Sequence, residues 1–149
     1  MKKELIYITY QTFPANTANS IQTISTLKYI FRHGLKTTLI FPLRNKESSS
    51  EVTDLKNHYL FNEDIQVKGT IHPLPFKKFL FFERFTYLIS HFLWSYFTVR
   101  KYSKIYINKQ FFTRSEWVFY FLSNKNKDVV YECHQLSKLK IYLVNKALK

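Results

Sequence analysis

Apolar positions along this chain follow two periods in turn. Leu5-Ile6-Tyr7-Ile8 is a short continuous apolar run, the pattern of a strand buried on both faces. Polar residues follow, Thr12-Phe13-Pro14-Ala15-Asn16-Thr17-Ala18-Asn19-Ser20. Ile21, Ile24, Leu27, Ile30 and Phe31 then recur at helical spacing, with Ser20 as the expected N-cap. His33-Gly34 ends that helix, and Lys36-Thr37-Thr38-Leu39-Ile40-Phe41-Pro42 reads as a second strand, completing a βαβ unit. The Ser-rich stretch from Leu43 to Ser50 predicts a loop, and Glu51 to Tyr59 a short helix. Ile65 to Ile71 alternates weakly and predicts a third strand, closed by His72-Pro73-Leu74-Pro75, where two prolines exclude a helix. Phe79 to Val99 is the most apolar segment. Lys104 to Asn108 and Val129 to Cys133 predict two further strands, with a helix over Trp117 to Leu122 between them. No internal repeat or low-complexity tract interrupts the series. Strands alternating with helices predict an α/β domain of three layers with a mostly parallel sheet.

Composition narrows the picture. A chain of 149 residues, 46% hydrophobic and 19% aromatic, can bury one core and is short for two, so residues 1–149 are expected to form one domain. Cys133 is the single cysteine, which excludes a disulfide framework and a zinc ribbon and fits a reduced compartment. No metal and no cofactor is expected. Met1-Lys2-Lys3-Glu4 leads into an apolar run too short for a signal peptide, so the expected location is cytoplasmic.

The net charge of +13 comes from 23 Lys+Arg against 10 Asp+Glu, and 18 of the 23 are Lys. One reading is a composition bias, since Ile, Phe, Tyr and Asn are also abundant; the other is attraction to polyanions. The basic residues are scattered rather than striped and no nucleic-acid-binding module is visible, so nucleic acid is not an expected partner. Anionic lipid head groups fit a diffuse excess of Lys better. The Phe79 to Val99 segment is long enough to cross a bilayer, but it carries Glu83, Arg84 and His91, and Thr86, Ser90, Ser95 and Thr98 dilute it. The expectation is a helix partly buried in the domain. Phe82, Phe85, Leu88, Phe92, Trp94 and Phe97 are too many for one sheet-facing stripe, and the surplus, flanked by Lys77, Lys78, Arg84, Arg100 and Lys101, suits peripheral contact with an anionic membrane. Core packing alone is the competing account.

Candidate chemistry concentrates at three predicted strand ends. In the first loop, Thr12, Asn16, Thr17, Asn19 and Ser20 offer hydroxyl and amide groups beside backbone N–H donors, which suits a phosphate oxygen or a sugar hydroxyl. Turn and cap formation accounts for the same residues. Asn108 to Glu116 connects a strand to a helix, placing Arg114 and Ser115 at the same edge; Arg114 could grip a phosphate or carboxylate bidentately, or pair with a structural partner such as Glu116. Glu132-Cys133-His134-Gln135 closes the last strand, where an imidazole can donate, accept or titrate near neutrality, or serve as a hydrogen-bonded structural residue.

The order strand, F-P-A-N-T-A-N-S-I-Q-T, helix, H-G, strand, then T-R-S at a later helix start and V-V-Y-E-C-H at a later strand end, resembles the N-terminal domain of family 4 glycosyltransferases of the GT-B fold. The resemblance spans essentially the whole chain and is strongest over 5–42 and 104–137. It implies a Rossmann-like domain that holds the acceptor of a retaining glycosyl transfer from a nucleotide-sugar donor to a glycan or lipid-linked acceptor, commonly in lipopolysaccharide, capsule or other cell-surface glycan synthesis. It matches Asn16 to Ser20 to the loop facing donor phosphates and acceptor, Arg114 and Ser115 to a cleft-lining turn, and His134, the candidate catalytic residue, to a cleft-edge imidazole, with Glu132 beside it.

The first loop departs from the family in lacking glycines, which shifts phosphate contact from bare N–H groups toward Asn and Ser side chains. The sequence also ends at Lys149, before a second Rossmann domain and its paired-glutamate donor motif. The expectation is that these residues alone transfer no sugar and that a separate donor-domain chain is a candidate partner. The rival class is a non-catalytic remnant or a membrane- or partner-binding module. A small nucleotide-binding Rossmann protein is disfavoured by the absence of G-x-G-x-x-G.

Overall fold

The computed structural model describes residues 4–44, 47–72, 83–133 and 138–148. The chain alternates strands and helices: β1 (Glu4–Ile8), α1 (Ala18–Arg32), β2 (Lys36–Leu43), α2 (Val52–Tyr59), β3 (Gln66–Ile71), α3 (Glu83–Ile105), β4 (Gln110–Thr113), α4 (Glu116–Ser123), β5 (Val129–Tyr131) and α5 (Lys138–Ala147). The five strands form one sheet in the order β3-β2-β1-β4-β5, and every pairing is parallel. The expected α/β class holds, with a three-layer, Rossmann-like arrangement.

Parallel strands covered by helices on both faces read as unbroken apolar runs, and the central strands obey this. Leu5 to Ile8 and Thr37 to Pro42 are buried throughout. Their alternate residues feed two cores. Tyr7, Leu39 and Phe41 meet Ile24 and Leu27 of α1 and Leu55 of α2. Ile6, Ile8, Ile40 and Phe111 meet Trp94, Val99 and Tyr102 of α3 and Val118 and Leu122 of α4. Helix α5 packs on α4.

α1 starts three residues earlier than the pattern indicated. Thr17, not Ser20, is the N-cap, and its hydroxyl accepts from the Ser20 N–H while the Ser20 hydroxyl accepts from the Thr17 N–H. Ser20 serves as the far half of that capping box. Its C-terminus is as expected: Gly34, at φ +90°, occupies the left-handed region just past His33, and its N–H donates to the Phe31 carbonyl at 3.0 Å.

The largest correction concerns 104–108. That segment is not a strand; α3 runs through Ile105, and the strand is Gln110–Thr113. Tyr102 and Tyr106 stack at 6.1 Å across one helical turn, the Tyr106 N–H donates to the Tyr102 carbonyl at 2.9 Å, and Lys68 Nζ donates to the Tyr106 hydroxyl at 2.7 Å. These contacts outweigh the β preference of Ile105 and Ile107, which are left exposed. The sequence pattern also gave no sign of α5. Pro73, Pro75 and residues 79–82 lie outside the described residues.

Candidate functional site

In an open parallel sheet, ligands bind beyond the carboxyl ends of the strands where the strand order reverses. Here the chain leaves β1 toward β2 on one side and enters β4 on the other, so the reversal lies between β1 and β4. Two segments flank it. The first is the loop after β1, which leads into α1; the second is the Arg114-Ser115 turn, which leads from β4 into α4.

The first loop is held from below. Phe13 is fully buried against Phe41, with ring centroids 5.0 Å apart, and the Tyr59 hydroxyl both accepts from the Ala15 N–H at 2.7 Å and donates to the Ala15 carbonyl at 2.8 Å. That anchoring leaves Asn16, Thr17 and Asn19 exposed at the start of α1 and Thr12 half-buried at the near side. Ser20 differs from its expected role. It is buried, and its hydroxyl donates to the Ala15 carbonyl at 2.6 Å, so it secures the turn rather than facing solvent.

Arg114 is the centre of the second segment. Its side chain is 6% exposed and meets Glu132 in a two-point pair, Nε to Oε2 at 2.8 Å and Nη2 to Oε1 at 3.0 Å. The structural partner is therefore Glu132, just past β5, rather than Glu116, which is buried in the first turn of α4. Nη1 of Arg114 also donates to the Thr23 hydroxyl of α1 at 3.3 Å, and that hydroxyl lies 3.0 Å from Gln11 Oε1. A chain of polar contacts thus crosses the strand reversal from Glu132 to the first loop. Thr113 reinforces it by donating to the Ile8 carbonyl at 2.7 Å. Below this chain the Tyr7 hydroxyl is buried, and burial pushes the phenol up to about 12 against the opposing effects of the Thr23 hydroxyl and the Arg114 charge.

Ser115 turns inward. It is the N-cap of α4, accepting from the Val118 N–H at 3.3 Å, and its hydroxyl lies 2.7 Å from His91 Nε2. His91, 6% exposed, stacks on Tyr10 at 4.1 Å between ring centroids. The Tyr10 hydroxyl lies 2.8 Å from His72 Nε2, and the Arg44 guanidinium sits 4.5 Å over the Tyr10 ring. Burial pushes Tyr10 up to about 12, with Arg44 opposing the shift, so the phenol is neutral near pH 7 and the fixed positive charge here is Arg44.

The sequence reading missed Tyr10, Gln11, Thr23, Arg44, His72 and His91. The signal for three of them was available: Tyr10, Arg44 and His72 each follow the last residues of a strand, the same position that singled out Arg114 and Glu132. The structure thus brings Thr12, Asn16, Thr17, Asn19, Arg114 and Glu132 to one edge of the sheet and turns Ser20 and Ser115 to structural use. His134 lies outside the described residues. Among the described residues no group of His, Cys, Asp and Glu side chains could hold a metal ion, and no helix is long and apolar enough to cross a membrane.

No protein-family model, curated protein or solved structure matches this chain.

Proposed function

We propose that these residues form the acceptor-side domain of a retaining glycosyltransferase of the GT-B type, taking a nucleotide-sugar donor and a glycan or lipid-linked acceptor in cell-surface glycan or lipopolysaccharide synthesis. One observation supports it above the others. The two segments that carry the family resemblance flank the β1–β4 reversal and are joined there through Arg114, Thr23 and Gln11. Exposed Asn16 and Asn19 supply amide donors and acceptors for sugar hydroxyls, and the unpaired N–H groups at the start of α1 favour negative charge such as a donor phosphate. Arg114, its charge met by Glu132, shapes the wall between them. In this reading His134, two positions after Glu132 in the sequence, is the imidazole that serves the reacting hydroxyl.

Saturation-transfer NMR tests the reading, using short glycans and a prenyl-linked sugar as acceptor probes and UDP- and GDP-sugars as donor probes. Acceptor signals should saturate with the wild-type chain and vanish with Asn16→Ala/Asn19→Ala, both exposed and outside the packed core. Absence of saturable binding to every sugar-bearing probe, or binding indifferent to the double substitution, refutes it.

The location belongs to the same reading: peripheral attachment at the cytoplasmic face of the cell membrane. It is favoured by α3, where Phe85, Leu88, Ile89, Phe92, Tyr96 and Phe97 are exposed while Trp94 is buried in the core. That face also supports the rival class, a non-catalytic membrane-binding module, which the glycan probes distinguish.

A further inference from the structure

From α3, α4 and α5 together we infer that their outer layer is a docking surface for an anionic lipid bilayer, lying flat on the head groups. The inference deepens the peripheral location proposed above and is independent of glycosyl transfer.

The surface begins with a row on α3. Phe85, Ile89, Phe92 and Tyr96 follow at spacings of three to four residues on its exposed side, and Arg100 and Lys104 continue the same row toward the helix C-terminus. The row does not stand alone. Phe92 meets Trp117 edge-on at 4.9 Å and Phe121 at 5.4 Å, and Tyr96 meets Phe121 at 5.5 Å, so α4 widens the strip into an aromatic sheet of rings. Tyr120 borders Phe121 at 5.5 Å, and Lys146 of α5 sits 5.7 Å over the Tyr120 ring. An apolar, ring-rich centre with cations at its border results.

Charge identifies the occupant. The sequence has no Asp or Glu from Phe85 to Ser115, none from Trp117 to Lys127, and none after Glu132. Glu116, the acid between those stretches, is buried. A second copy of the chain would bring another +13 against this border, and like charge opposes that pairing. A bilayer rich in anionic lipid offers the opposite sign everywhere along a flat face. It also offers an interfacial zone in which Trp, Tyr and Phe rings partition without shape-matched pockets.

Vesicle co-sedimentation of the intact chain tests this, with phosphatidylcholine vesicles carrying or lacking phosphatidylglycerol, at low and high salt. Partitioning should require the anionic lipid and fall as salt rises. Arg100→Gln/Lys104→Gln/Lys146→Gln should lower the partition coefficient by roughly a hundredfold, since each basic side chain near such a surface contributes about fivefold. Lys28→Gln/Lys36→Gln/Lys56→Gln, away from this layer, should change it little. Brominated lipids should quench the fluorescence of half-buried Trp117, and Trp117→Phe, which retains buried Trp94, should abolish the quenching. Equal partitioning onto neutral vesicles, equal loss from the two charge variants, or quenching that persists in Trp117→Phe overturns the inference. So does a chain that ignores vesicles, whether or not it self-associates or binds an acidic protein. None of these results bears on glycan binding at the carboxyl edge.

Discussion

Removing Glu132 should cost more stability than any exposed charge in the protein, because Arg114 is held almost out of water. The Arg114 side chain is 6% exposed and Glu132 32%, and the pair closes two hydrogen bonds of 2.8 and 3.0 Å. Breaking a buried pair by deleting one partner costs about 3–5 kcal/mol, mainly because a charge is stranded. Glu132 retains partial hydration, so Glu132→Ala belongs at the lower end, about 3 kcal/mol. Arg114→Ala leaves a carboxylate that water can reach and should cost about 2 kcal/mol, including the lost contact to Thr23. The double variant should cost about 3 kcal/mol rather than 5, a coupling of about 2 kcal/mol. Arg32 and Glu63 form an internal control: Arg32 Nε donates to Glu63 Oε1 at 2.6 Å, but the Arg32 side chain is 65% exposed, and coupling there should stay below about 1 kcal/mol. Urea unfolding followed by circular dichroism on the two cycles provides the comparison, read as midpoint shifts at constant slope. A coupling between Arg114 and Glu132 no larger than that between Arg32 and Glu63 would refute the account of this site as a desolvated ionic brace.

Alkaline stability follows from the buried phenols. Burial holds Tyr7 and Tyr10 up near 12 and raises Tyr87, Tyr102 and Tyr131. The folded chain thus keeps protons that the unfolded chain loses from pH 10, so stability is intact below pH 10 and falls between 10 and 12, by about 1.4 kcal/mol per pH unit for each strongly shifted tyrosine. Absorbance at the phenolate band and circular dichroism should show a late, unfolding-linked group of tyrosines; titration of all eleven as one class near 10 would contradict it. Gly69→Ala should destabilise by about 1–2 kcal/mol, because a Cβ at Gly69 would lie 2.8 Å from the Leu43 side chain and from Ser50 Cβ. Thermal unfolding checks this, and an unchanged or raised melting temperature would show that the β2–β3 contact relaxes freely.

Local pattern alone determined the class and most of the order of elements. Leu5 to Ile8 and Thr37 to Pro42 are buried on both faces, so their apolar runs cannot be mistaken for amphipathic segments, and His33-Gly34 ends α1 by a backbone requirement of Gly34 itself. The strand-end rule likewise pointed to the first loop and Glu132, because position along a parallel strand fixes which edge a residue reaches; it pointed to Arg114 from a strand expected at 104–108, whereas the strand before Arg114 is Gln110–Thr113. Tertiary structure decided what those residues do there. Ser20 and Ser115 were consumed by caps, since a buried hydroxyl must satisfy nearby backbone groups first. Arg114 chose Glu132 over the nearer Glu116 because β4 and β5 are adjacent, a long-range pairing that no local pattern encodes. The same holds for 104–108, where the Tyr102–Tyr106 stack and the Lys68 contact keep the chain helical through Ile105 and out of a strand, against its own β preference. His91 appeared in sequence only as a polar break in an apolar helix; folding brought it against Tyr10 and Ser115, because α3 crosses the carboxyl ends of strands far from it in the chain.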